Sequence, residues 1–147
     1  MKKFAFRLQS VLRVRRIQED QAKARLLNAN AAAREAERVV DARVARYYDM
    51  ARPEGTQVEP EFARTWFSLD TAAGAIELAN GQRVEALAHV AERRSEWSAA
   101  SMRVAALERL EERQRAEHAV EAQRDEDRTT DDLVVSRFSR SNRGRFA

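Results

Sequence analysis

Cysteine is absent from this chain of 147 residues. Disulfides and thiolate metal sites are thereby excluded, and the composition suits the inside of a cell. Proline occurs only at Pro53 and Pro60, and neither proline nor glycine falls between Met1 and Arg52. No apolar run approaches the ~20 residues that span a bilayer. Phe4-Ala5-Phe6 is followed at once by Arg7, so no apolar signal-peptide region is expected either. Glycine-rich phosphate loops and a nucleophile elbow are missing as well. His89 and His118 stand far apart, with no HxxxH pair. These absences point away from catalysis: no enzyme activity, cofactor, metal or small-molecule substrate is expected.

What remains is helix-forming. The stretch before Pro53 is rich in Ala, Arg, Glu and Leu, all good helix formers. Charged residues make up 35% of the chain, and many of the hydrophobic ones are alanine. A small side chain buries little area at about 25 cal/mol per Å², so a compact core is not expected. This composition signals a coiled coil or long helices. Helix 1 is predicted over residues 4–51, a turn over 52–60, and helix 2 over 61–128. Proline without an amide hydrogen ends the first helix. Together, residues 1–128 read as an antiparallel helical hairpin, all-α, with the second helix longer. At 1.5 Å per residue the helices would be ~70 and ~100 Å long.

In helix 1 the positions Leu8, Leu12, Arg15, Glu19, Ala22, Leu26, Ala29, Ala33, Ala36, Val40, Arg43 and Tyr47 follow heptad spacing. In helix 2 Phe62, Trp66, Leu69, Ala73 and Ile76 keep the rhythm. Val84, Leu87, Ala91 and Trp97 continue it after a local shift, which would be a stutter, and Val104, Leu107 and Leu110 follow. Gly74 and Gly81 lie nearby, each costing about 1 kcal/mol relative to alanine in a helix. A turn centred near residue 56 would set Met50 near Phe62, Leu26 near Leu87, Leu8 near Val104 and Phe4 near Leu107. Thr129-Thr130-Asp131-Asp132 is expected to end helix 2. Residues 129–147 then hold a short apolar cluster, Leu133-Val134-Val135 and Phe138, and a flexible, disordered basic tail.

Two features exceed a solvated helical surface. Residues 1–50 carry 12 basic and 6 acidic side chains. Arg7, Arg13, Arg15 and Arg16 interleave there with Phe4, Phe6, Leu8, Val11, Leu12 and Val14. Such a block suits an anionic protein surface, a membrane surface or a nucleic acid. The second feature is Phe62, Trp66 and Phe67 just past the turn. Phe62 and Trp66 can face helix 1, while Phe67 points elsewhere, either packing sideways on Ala63 or Thr71 or meeting a partner.

The block Phe6-Arg7-Leu8-Gln9-Ser10-Val11-Leu12-Arg13-Val14-Arg15 resembles the opening of the flagellar FliJ family: aromatic-Arg-Leu-Gln, then Leu, then Arg. Glu19 and the late Phe138 are similar too, as are the length and the helix–turn–helix plan. The resemblance implies a component of flagellar type III protein export, hence a role in flagellum biogenesis, motility and chemotaxis. It further implies an antiparallel coiled coil that binds the hexameric export ATPase, the membrane-embedded export gate and export chaperones. Its place would be the cytoplasm, peripherally on the inner membrane. The candidate contact residues are Arg7, Arg13, Arg15, Arg16, Phe62, Trp66 and Phe67. The alternatives are a coiled-coil nucleic-acid binder or a membrane-surface protein using the same basic block. A DNA-reading helix exposes its basic face with few large apolar residues, so no nucleic-acid partner is expected.

Overall fold

The computed structural model describes residues 4–52, 55 and 59–143, with side chains as far as Phe138. Among these residues there are two helices and no strand: α1 spans Gln9–Ala51 and α2 spans Glu59–Arg143. The chain divides into two compact units. Unit one comprises Met1–Arg16 and Met102–Ala147, and unit two Ile17–Ser101. Each contains a piece of both helices.

The helix ends differ from the sequence expectation in ways that have local causes. α1 starts at Gln9, not Phe4: the Gln9 amide donates to the Phe6 carbonyl at 3.1 Å, and Leu12 to Leu8 at 2.9 Å. An extended residue advances about 3.3 Å, twice a helical one. The unwound start therefore carries Phe4 farther along α2 than a helix could. At the other boundary Pro60 sits inside the first turn of α2, where its missing amide hydrogen costs nothing. Glu59 and Glu61 complement the positive end of the helix dipole there. Gly55 takes φ +71°, a left-handed turn conformation that favours glycine.

α2 does not end at 128. Thr129 and Thr130 donate their hydroxyls to the carbonyls of Asp125 and Glu126, at 2.8 and 2.9 Å. Ser136 does the same to Leu133. The hydroxyls thus satisfy themselves on the preceding turn and let the helix continue. The expectation for the tail beyond Arg143 lies outside the described residues.

The seam of α1 matches its predicted rhythm. Leu12, Arg15, Glu19, Ala22, Leu26, Ala29, Ala33, Ala36, Val40 and Tyr47 are all buried or half-buried. Leu8 and Arg43 are exposed, and Val44 is half-buried instead of Arg43. The seam of α2 keeps the expected Leu69, Ile76, Trp97, Val104 and Leu107, but Phe62, Trp66, Ala73, Val84, Leu87 and Ala91 are exposed. A line of half-buried or buried positions runs Thr65, Leu69, Ala72, Ile76, Ala79, Arg83, Ala86, Val90, Arg93, Trp97, Ala100, Val104, Leu107, with flanking residues such as Ala75, Asn80 and Ser98 half-buried beside it. Steps of four and three alternate without interruption. There is no stutter, and Val84 and Leu87 stand outside the seam, 61% and 53% exposed.

Both units pair the helices antiparallel. In unit one Leu12 is fully buried with Phe6 and Val104, and Phe4, Leu107 and Leu110 pack against them. Arg16 reaches Glu108 at 2.8 Å. In unit two the buried residues are Ala22, Ala33, Val40 and Ala79, and Arg25 faces Glu96 at 3.9 Å. The expected partner of this stretch of α1 was Leu87, so the register is displaced by about two turns of helix. Met50 likewise shares a groove with Phe67, Ser68 and Thr71, not with Phe62. The first turns of α2 extend beyond the level of Met50.

Candidate functional site

Unit one holds the N-terminal arginines, and the packing treats each differently. Arg16 donates through Nε and a terminal nitrogen to Glu108 Oε1, at 3.3 and 2.8 Å. Its charge is therefore answered within the chain. Arg15 lies on the seam, half-buried and engaged by neighbours. Arg7 and Arg13 are exposed, and neither has an ion-pair partner among the described residues. Exposed Val11 and Val14, at 41% and 52%, alternate with them. The register expectation buried Phe4, Phe6, Leu8, Val11 and Leu12 alike. Phe6 and Leu12 are buried and Phe4 half-buried, whereas Leu8 and Val11 turn outward.

The segment that presents Arg7 is held at its start by a contact the sequence did not suggest. The Phe4 ring meets His118 edge-on at 5.6 Å between centroids. The Arg115 guanidinium stands 5.6 Å over the same ring and also pairs with Glu111 at 2.9 Å. A cation over an aromatic face contributes about 0.5–1 kcal/mol at exposed sites. The signal was legible only as a lone aromatic ahead of a helix start. Its partner lies over a hundred residues away in the chain.

Unit two holds the aromatic group. Phe62, Trp66 and Phe67 are 62%, 67% and 73% exposed. The expectation that Phe62 and Trp66 face helix 1 fails, because the displaced register gives the seam to Thr65 and Leu69. Phe67 borders a shallow groove with Arg43, Arg46, Met50 and Thr71. Arg43 and Arg46 bring cations to that groove, and Met50, Phe67, Ala72 and Ala75 supply apolar lining.

Elsewhere in unit two Arg93 donates to both oxygens of Glu96, at 2.8 and 2.9 Å. These hydrogen bonds, and then the carboxylate's charge, hold the Arg93 guanidinium above its ordinary value. His89 approaches Glu92 at 3.5 Å. Among the described residues no three His, Asp or Glu side chains gather as metal ligands, and no helix is long and apolar enough to cross a membrane. The chemistry on offer is surface recognition by cations and exposed aromatics.

The family model described as "Flagellar FliJ protein" matches residues 3–143, almost the whole chain. The chain belongs to the FliJ family. No curated protein and no solved structure matches it significantly. Membership makes it a component of the flagellar export apparatus. The two long helices and their heptad seams are the coiled-coil form of a FliJ-family chain.

Proposed function

We propose that this chain is a non-enzymatic stalk of flagellar type III export that docks on the hexameric export ATPase through unit one. In this reading it also contacts the membrane-embedded export gate and export chaperones, at the cytoplasmic face of the inner membrane. The observation that carries the docking surface is the pair Arg7 and Arg13. They are exposed, lack ion-pair partners among the described residues, and alternate with exposed Val11 and Val14. Free cations beside apolar side chains suit an anionic protein surface, where charge steers encounter and apolar contact retains it. Phe62, Trp66 and Phe67 form a second contact surface, for which aromatic side chains are well suited.

The test is charge reversal with internal controls. Arg7→Glu with Arg13→Glu should leave helicity intact and slow association with the export ATPase. Wild-type binding should weaken as salt rises, because screening shortens the reach of exposed charges. Export and motility should fall in parallel. Arg16→Glu is a folding control, since it breaks the contact to Glu108. A folded double variant with wild-type ATPase binding and export would defeat the docking surface. Lost duplex DNA binding with unchanged motility would support the nucleic-acid alternative instead. Trp66→Ala with Phe67→Ala should lower export while ATPase binding stays unchanged.

A further inference from the structure

Among the described residues, nothing packs on the last part of α2. From Gln123 to Val135 every residue is exposed. Leu133, Val134, Val135 and Phe138 are 55%, 60%, 63% and 73% exposed, an apolar cluster with nothing described against it. Charge is sorted around this cluster. Residues 117–132 hold seven acids and only two arginines, and residues 133–147 hold four arginines and no acid. Arg137 has no acidic residue three or four positions away in its own helix. Among the described residues neither Arg137 nor Asp131 has an ion-pair partner, and Arg128, one turn before Asp131, pairs with Asp125 at 3.8 Å.

We infer that this segment docks on the same segment of a second copy of the chain, antiparallel, about a two-fold axis near Val134. The segment is complementary to itself only in that direction. A two-fold there sets Val134 on Val134 and Leu133 by Val135, and brings Arg137 of each copy opposite Asp131 of the other. Arg137 of each copy thus faces the acidic stretch of its partner. A parallel pair would set acid against acid. An anionic membrane would attract the arginines but repel the seven acids. An isologous contact of this kind repeats every interaction twice. The segment is short, so the buried area falls below the ~1,200–2,000 Å² of a stable interface. The association is accordingly reversible and dependent on concentration. It goes beyond the stalk reading and does not rest on it.

The test is sedimentation equilibrium of the full chain at low and high salt. Wild type should show a monomer–dimer equilibrium that shifts to monomer as salt rises. Arg137→Glu and Asp131→Arg should each weaken dimerisation roughly tenfold, since each disrupts two symmetric pairs. The double variant R137E/D131R should restore it, because the swapped charges meet again across the axis. The chain has no cysteine, so Val134→Cys should form a disulfide dimer under mild oxidation and Val120→Cys should not. A chain that stays monomeric at low salt overturns the inference. So does a dimer indifferent to both single reversals, or one that the double variant fails to restore. Monomeric chain that binds vesicles of anionic lipid would assign the segment to a membrane surface instead.

Discussion

Unit one and unit two pack the same two helices with side chains of very different size. In unit one the buried residues are Leu12, Phe6 and Val104; in unit two they are three alanines and Val40. A fully buried leucine or phenylalanine contributes about 1.5–3 kcal/mol from its area, and an alanine a fraction of that. Unit one therefore concentrates its stability in a few contacts, while unit two spreads it thinly along a close-approach seam. The difference also decides what is left outside. In unit two the larger apolar side chains Leu27, Leu78, Val84 and Leu87 are more than half exposed. They are surface, not core.

The largest effect that could break this comparison is Leu12→Ala. Leu12 is wholly buried in the core of unit one, and leucine truncations in cores cost about 2–5 kcal/mol. Urea unfolding should register that loss, with faster hydrogen exchange in the first turns of α1. Next comes overpacking of the alanine seam. Ala79→Leu, at a position 2% exposed, should destabilise by about 1–3 kcal/mol because the helices have no room for the added atoms. Leu87→Ala in the same helix should change stability little. If Leu87→Ala cost as much as Leu12→Ala, the seam would run elsewhere.

Much of this was legible in the sequence, and the failures have a common cause. The fold class, the two long helices and the seam of α1 follow from composition and the four-three rhythm of residues such as Leu12, Ala22, Ala33 and Val40. The seam of α2 is legible at Leu69, Ile76, Trp97, Val104 and Leu107 and is obscured between them, where large apolar residues lie off the constant spacing. Val84 and Leu87 drew the reading away from Ala79, Arg83 and Ala86. The register expectation rests on a turn centred near residue 56, whereas Arg25 faces Glu96 and Met50 shares a groove with Phe67. It hid the exposure of Phe62 and Trp66 and the pairing of Arg16 with Glu108. Among the site residues, Arg7, Arg13 and Phe67 stand exposed, while Arg15 and Arg16 are engaged within the chain. The end of α2 was placed too early because Thr129 and Thr130 look like helix breakers until their hydroxyls are seen to bond back.

Smaller effects sharpen the picture. A methyl group added at Gly74 or Gly81 would meet no atom within 4 Å. Gly74→Ala and Gly81→Ala should each raise stability by up to about 1 kcal/mol, since alanine is the better helix former and nothing must move. Thermal unfolding would read the gain. Smallest is the Arg16–Glu108 contact, whose side chains are about half exposed. A double-mutant cycle to alanine should give a coupling of about 0.2–1 kcal/mol that shrinks with salt.

The central claim is that α2 carries one uninterrupted seam, which passes through Ala79, Arg83 and Ala86 and leaves Val84 and Leu87 outside. Cysteine scanning tests it most directly, because the chain has no cysteine of its own. Single cysteines at residues 79, 83, 84, 86, 87 and 90 would be alkylated under native conditions and the rates compared. The account predicts slow labelling at 79, 83, 86 and 90 and fast labelling at 84 and 87. Protection at 84 and 87, with rapid labelling at 83 and 86, would contradict it.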